Sequence, residues 1–289
     1  MTGGVDRREL RTLAIALLLS LLLWNLPKGG FVLYPFKLLA TWLHEMSHGL
    51  VMTLTGVGFD HIMVFRDTSG LAYSSTKMGG WALPLIAAAG YMGTPLWGAL
   101  LLRVTPTAAR ARIALAVLGA LMVVSAFTFV AIGDDGDTFG PWAIGIMGAV
   151  LFAVAFLVPP RLRRTLAHFV AAQACLNALL DIRVLLRPSQ VVGGSGAMSS
   201  DATNMAASTF GTTADWAVWT WAGIWLVWSL GVLYVALRFS GSPGPLSAAP
   251  GDHPTDAPRD ESDRDERRRS PATAPGGTGP TGPADTAAP

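Results

Sequence analysis

Apolar residues fall in long blocks separated by short polar breaks. The blocks run over Leu13–Leu26, Phe31–Val57, Trp81–Leu102, Ile113–Ile132, Pro141–Val158, Leu166–Leu186 and Ala214–Leu237. Most are near the roughly 20 residues that a helix needs to cross a bilayer. The pattern predicts an all-α polytopic membrane protein with about six to seven membrane segments. Between the second and third blocks, Gly58 to Gly80 breaks the pattern. It is polar and dotted with glycine, and it carries the β-prone pieces Ile62-Met63-Val64-Phe65 and Leu71-Ala72-Tyr73. It reads as a small β-hairpin at the membrane surface or dipping into it. From Ser240 onward Pro, Gly, Ala, Ser, Thr and mixed charges dominate, too little apolar surface to fold. The expected organisation is therefore a membrane-embedded domain over residues 1–239 and a disordered tail over 240–289. Arg7, Arg8 and Arg11 ahead of the first block resemble the basic start of a signal peptide. The following Trp24-Asn25-Leu26-Pro27-Lys28 lacks the small residues of a cleavage site, so a retained first helix is expected.

Charge sharpens this picture. The chain is 51% hydrophobic and 14% charged, where soluble domains carry about 25% charged residues. More than half of the acidic residues lie near the N-terminus or after Gly251. Arg103, Arg110 and Arg112 flank one connection and Arg161, Arg163 and Arg164 another, with Asp134, Asp135 and Asp137 in the connection between them. The positive-inside rule puts the arginine connections, and Arg238, in the cytoplasm and the aspartates outside. Arg7, Arg8 and Arg11 ask for a cytoplasmic N-terminus as well. An odd number of crossings cannot satisfy both ends, so a partial or re-entrant segment is expected within Phe31–Gly80, leaving about six full crossings. A net charge of +2 says little about nucleic acid, and no basic, aromatic-laced stripe is present, so no nucleic-acid partner is expected. The single cysteine, Cys175, allows no intrachain disulfide and has nothing nearby to activate it. Arginine exceeds lysine and Ala, Gly and Pro are abundant, as in proteins of GC-rich bacteria. The expected location is a bacterial plasma membrane.

Candidate chemistry centres on His44-Glu45-Met46-Ser47-His48, an HExxH motif. Residues four apart share a helix face, so His44 and His48 can present two imidazole nitrogens to one metal ion. Glu45 then stands where a general base must reach water. Zinc suits such nitrogen and oxygen ligands. Glu45 is also the only glutamate between Glu9 and Glu261, and a carboxylate in an apolar segment marks a functional site. The first candidate for a third ligand is Asp181. Gln173, Asn177 and Asp181 form one polar stripe at helical spacing, with Asn177 and Gln173 placed to support a ligand from behind. Asp201, in the loop before the last block, is the alternative, although a loop aspartate more often serves a turn or cap. Asp60, His61 and Asp67 read as hairpin residues and His168 as interfacial. Ala89-Gly90-Tyr91-Met92-Gly93-Thr94-Pro95-Leu96-Trp97-Gly98 reads as a close-packing helix surface.

These three features, in this order, resemble the M50B-like family of membrane peptidases, relatives of the site-2 proteases. The likeness extends over roughly residues 36–235 and rests on the HExxH helix, the glycine-rich Ala89–Gly98 stretch, and Asn177–Asp181 followed by Ser200-Asp201-Ala202. It implies zinc-dependent proteolysis in or near the membrane. His44, His48 and Asp181 would be the ligands, Glu45 the base, and a membrane protein or peptide the substrate. In site-2 proteases the aspartate is usually followed by glycine. Here Asp181 precedes Ile182, which keeps Asp201 open as the alternative. Two other classes compete: a non-catalytic membrane scaffold of the same fold, and a metal transporter. The transporter needs further ligands along a path, and the apolar blocks offer few.

Overall fold

The computed structural model describes residues 15, 18–26, 28–133, 135–185, 190–191 and 197–239. The tail assigned to 240–289 lies outside them, as do Arg7, Arg8, Arg11 and Asp134. A helical stretch over residues 18–25 is followed by α1 (Gly29–Leu54), β1 (Phe59–Val64), β2 (Gly70–Ser74), α2 (Ala82–Val104), α3 (Ala108–Thr128), α4 (Phe139–Leu157) and α5 (Pro160–Leu185). The two-residue strands β3 (Gln190–Val191) and β4 (Ala197–Met198) then pair, and α6 (Asp201–Phe210) and α7 (Asp215–Phe239) complete the chain.

Five of these helices are long and apolar enough to cross a membrane: α2, α3, α4, α5 over Pro160–Ile182 and α7 over Asp215–Ala236. The expected six to seven segments therefore become five among the described residues. The reason is compositional. Helix α1 has the length, 26 residues, but Lys37, His44, Glu45, Ser47 and His48 dilute its apolar character, and the first block is only partly described. The outward faces are apolar, with Phe127 84%, Leu157 81% and Val227 71% exposed. Such faces suit lipid rather than water. The chain is a multi-pass membrane protein.

Close packing follows from small residues. Gly119 of α3 and Gly148 of α4 meet back to back. A Cβ on Gly119 would lie 2.6 Å from the Gly148 carbonyl oxygen, so this crossing tolerates no side chain. One face of α1 (Leu38, Leu39, Trp42, Leu43) packs with Ile62 and Val64 of β1 and with Met122, Ala126, Ile144 and Val170 from α3, α4 and α5. The Trp42 indole N–H donates to the Ser125 hydroxyl at 2.8 Å, which satisfies the polar edge of a buried ring.

The predicted hairpin is present. β1 and β2 are antiparallel, with Ile62 opposite Ala72 and an irregularity between Phe59 and His61. At Ile62 the outer edge of β1 also pairs with the chain after α3: the Ile62 N–H donates to the Phe129 carbonyl at 2.7 Å, and the Ala131 N–H to the Ile62 carbonyl at 2.9 Å. The outer edge of β2 has no strand partner among the described residues. The hairpin lies along α1. A Cβ on Gly49 would strike the Phe59 ring, the Thr41 hydroxyl donates to the Thr68 carbonyl at 2.6 Å, and the Tyr34 hydroxyl to the Arg66 carbonyl at 2.8 Å. Its tip is held by Arg66, which donates to both carboxylate oxygens of Asp137 at 3.2 and 3.0 Å.

Candidate metal centre

Helical periodicity puts His44 and His48 on the side of α1 that faces α2. The approach is close because α2 presents glycine. A Cβ on Gly90 would sit inside the His44 ring, and one on Gly93 would overlap the Ser47 side chain. The Ala89–Gly98 stretch is thus a packing surface: Gly90 and Gly93 pack against the motif, and Gly98 against Cys175 of α5. The Trp97 indole N–H also donates to the Ser47 hydroxyl, at 3.1 Å.

Asp201 completes the group. It is the first residue of α6, whose N-terminus is capped by Ser200. That hydroxyl accepts from the Thr203 N–H at 3.1 Å, the arrangement that favours serine at an N-cap. Capping fixes where α6 begins and therefore where Asp201 points. Its Oδ2 lies 3.0 Å from His44 Nε2 and 3.2 Å from His48 Nε2, and one ligand atom from each residue falls within 4.8 Å of the others.

The donor set fits a divalent metal. His48 Nδ1 stands 2.6 Å from the Ile86 carbonyl oxygen. A carbonyl can only accept, so Nδ1 carries a proton and Nε2 is the nitrogen left to face Asp201. It meets the carboxylate oxygen in a buried setting, His48 being 5% exposed. A nitrogen and a carboxylate oxygen held this close share a cation, either a proton or a metal ion that displaces it. Two imidazoles and one carboxylate are a zinc ligand set that leaves a fourth position for water. Two ligand atoms on a tetrahedral zinc are about 3.3 Å apart, close to the two separations between Asp201 and the histidine nitrogens.

Glu45 is likewise 5% exposed and lies under the hairpin. A Cβ on Gly70, the first residue of β2, would come 2.7 Å from both Glu45 Cγ and Thr41 Cγ2. The strand therefore runs directly over the carboxylate, and glycine makes that possible.

The remaining candidates are placed as follows. Asp181, ranked first from the sequence, is half-buried on α5, engaged in contacts of its own, and outside the cluster. The carboxylate that the fold brings to the two histidines belongs to Asp201, the alternative of the two aspartates. The cause is the direction of the polar stripe. The Asn177 amide donates to the Phe36 carbonyl at 3.1 Å and the Gln173 amide to the Ser20 hydroxyl. The stripe thus joins α5 to α1 and to the first helical stretch instead of backing the histidines. His61 pairs with Asp60 at 3.1 Å and stacks on Tyr73 with centroids 4.4 Å apart, as a hairpin residue. His168 is on α5 and outside the cluster. Three contributors were not singled out from the sequence: the Ile86 carbonyl, Gly70 and the ring of Tyr91. The last lay within the glycine-rich stretch, where small residues advertise close approach but do not say to what.

A membrane-embedded helical bundle in which an aspartate from another helix meets the two histidines of the HExxH helix defines a class, that of membrane proteins with a cluster able to hold a metal ion. Within it, the chain belongs to the Peptidase M50B-like family, whose model matches residues 12–236. No curated protein and no solved structure matches the chain.

Proposed function

We propose that this protein is a zinc-dependent endopeptidase that hydrolyses peptide bonds of membrane-associated proteins in a bacterial plasma membrane. His44, His48 and Asp201 are its metal ligands and Glu45 its general base. One observation carries the reading: two imidazole nitrogens and one carboxylate oxygen converge within 4.8 Å beside the only buried glutamate among the described residues. Family membership supplies the reaction class.

Zinc bound there supplies a Lewis acid that polarises a carbonyl oxygen and makes water easier to deprotonate. Glu45 takes the proton of the attacking water and hands it to the leaving amine. Ile86 holds His48 in the tautomer that leaves Nε2 free. The outer edge of β2, which has no strand neighbour among the described residues, is suited to take an extended substrate as an added strand. Because Gly70 lies against Glu45, a strand added there would pass close to the general base. A membrane helix must unwind to be cut, since its own hydrogen bonds shield its amides, and strand addition replaces the bonds it loses.

The test is metal content by mass spectrometry on detergent-purified protein, followed by cleavage of a membrane-protein substrate. The expected result is about one zinc per chain in wild type, Asp181→Ala and Glu45→Gln, and loss of zinc in His44→Ala and Asp201→Ala. Glu45→Gln should abolish cleavage while keeping the metal. Folded wild type that takes up no zinc when zinc is supplied would sink the peptidase reading and leave a non-catalytic scaffold.

A further inference from the structure

We propose that Tyr91 is the positioning residue for His44, with Trp225 as its backing. The inference rests on reading the cluster as a metal site. Metal-bound histidines are normally oriented by a partner on the nitrogen that does not bind the ion. His48 has one in the Ile86 carbonyl. His44 has none among the described residues, where its only hydrogen-bond contact is at Nε2, with Asp201. An imidazole on a two-bond side chain rotates freely unless something stops it, and a freely rotating ligand binds metal weakly.

What stops His44 is aromatic packing. Tyr91 meets it edge to face, with centroids 4.7 Å apart and planes at 89°, while His48 closes on it at 4.8 Å and 70°. Edge-to-face pairs are a favoured aromatic geometry. Tyr91 cannot retreat, because Trp225 of α7 is stacked flat behind it at 4.9 Å and 3°. Trp225 is itself 1% exposed, and α7 is pinned to α2 one residue further on, where the Trp228 indole N–H donates to the Met92 carbonyl at 3.2 Å. Glycine at position 90 lets the Tyr91 backbone come close enough for the contact. The tyrosine hydroxyl has no hydrogen-bond partner among the described residues, so the ring and not the hydroxyl does the orienting. Helix α2 thereby positions both histidines, one through a carbonyl and the other through a ring. The same apolar cluster that holds Tyr91 and Trp225 also holds Ala202, Met205 and Ala206 of α6, so Asp201 and the support of His44 share one foundation.

The experiment measures zinc affinity of the full chain in detergent by competition with a chromophoric chelator, and the visible spectrum of the cobalt-loaded protein. The variants are Tyr91→Phe, Tyr91→Leu, Trp225→Phe and Trp225→Leu. Tyr91→Phe is expected to bind zinc within about twofold of wild type and to keep its cobalt bands. Tyr91→Leu is expected to bind at least ~10-fold more weakly, the usual loss for a ligand's orienting partner, with shifted bands. Trp225→Leu should weaken binding in the same direction and Trp225→Phe should restore most of it. If Tyr91→Leu does not fold, the two Trp225 variants carry the comparison. Wild-type affinity and spectrum in folded Tyr91→Leu, or in Trp225→Leu where Tyr91→Leu does not fold, would overturn the inference while leaving the metal site intact. A Tyr91→Phe loss equal to that of Tyr91→Leu would overturn it too, by assigning the role to the hydroxyl. Wild type that binds no zinc overturns both the metal-site reading and this inference.

Discussion

Single residues carry much of this site, and glycines as much as ligands. At Gly70 the strand backbone rests on Glu45, and at Gly90 the α2 backbone rests on the His44 ring. A methyl group at either position has no room, and overpacking of this kind costs about 1–3 kcal/mol. Gly70→Ala is expected to leave zinc content unchanged and to lower cleavage by about 100-fold, the effect of moving a reacting group by roughly 1 Å. Gly90→Ala is expected to lower zinc affinity, since the group it displaces is a ligand. Equal zinc affinity in the two variants would contradict the assignment. The legibility of the site divides along the same line. His44, Glu45 and His48 were readable because one helix fixes their relation and helix geometry is known in advance. Asp201 was harder. It joins the histidines only after α5, the β3–β4 pair and the Ser200 cap have each taken their places, and no spacing in the chain encodes that. Gln173 and Asn177 of the polar stripe are buried. What Asn177 meets is α1 at Phe36, about two turns away from the motif.

At the scale of elements, the hairpin was legible from its composition, and its anchoring was not. A β-prone, glycine-bounded stretch between apolar helices announces two strands. The single bridge from Ile62 to Val130 and the clasp of Arg66 on Asp137 join it to the α3–α4 connection, and contacts this brief leave no periodic trace. The clasp is exposed and bidentate, and Arg66 also lies over the Phe139 ring, 4.9 Å from its centroid. Hydrogen bonding from Arg66, joined by the Phe139 backbone N–H, holds the Asp137 carboxyl below its ordinary range. A carboxylate depressed in the folded state adds stability above its unfolded pKa of about 3.9, and that stability is lost as pH falls through the lower folded value. Amide exchange in residues 65–69, corrected for its intrinsic pH dependence, is therefore expected to quicken below about pH 4. Asp137→Asn should exchange at the faster rate already at pH 7. A variant indistinguishable from wild type at pH 7 would show that the Thr41 and Tyr34 bonds alone hold the tip.

Across the whole molecule, charge separates the two ends of the bundle, and the site belongs to one of them. Helices α3 and α4 run antiparallel, so the α2–α3 and α4–α5 connections lie at the same end. It carries Arg103, Arg110, Arg112, Arg161, Arg163 and Arg164, and Ala236 packs there against the cluster of Leu102, Ala171 and Ala172, which brings Arg238 along. Asp135 and Asp137 occupy the other end, with Asp201 and Asp215 opening α6 and α7. The motif sits in that acidic half. His48 meets α2 at Ile86, about 6 Å along the helix from Ala82, and His44 meets it at Tyr91, about 18 Å from Arg103. The positive-inside rule places the arginine end in the cytoplasm, so the candidate site is expected to open toward the opposite face, and its substrates to present their bonds in the non-cytoplasmic half of the bilayer. Single cysteines report this directly, because the native Cys175 is buried and silent. In intact cells a membrane-impermeant maleimide should label cysteine at position 135 or 215, and should label position 110 or 161 only after permeabilisation. The reverse pattern would turn the molecule over and make the cytoplasm the side from which substrate and water arrive. Labelling at both ends would mean that the arginine connections do not mark a single membrane face, and the six-arginine end would then have to be explained by contacts within the protein. Such contacts are present: the Arg163 guanidinium donates to the Ala155 carbonyl at 2.8 Å, and Arg112 lies over the Phe156 ring, 5.9 Å from its centroid, so these two would be the first to substitute.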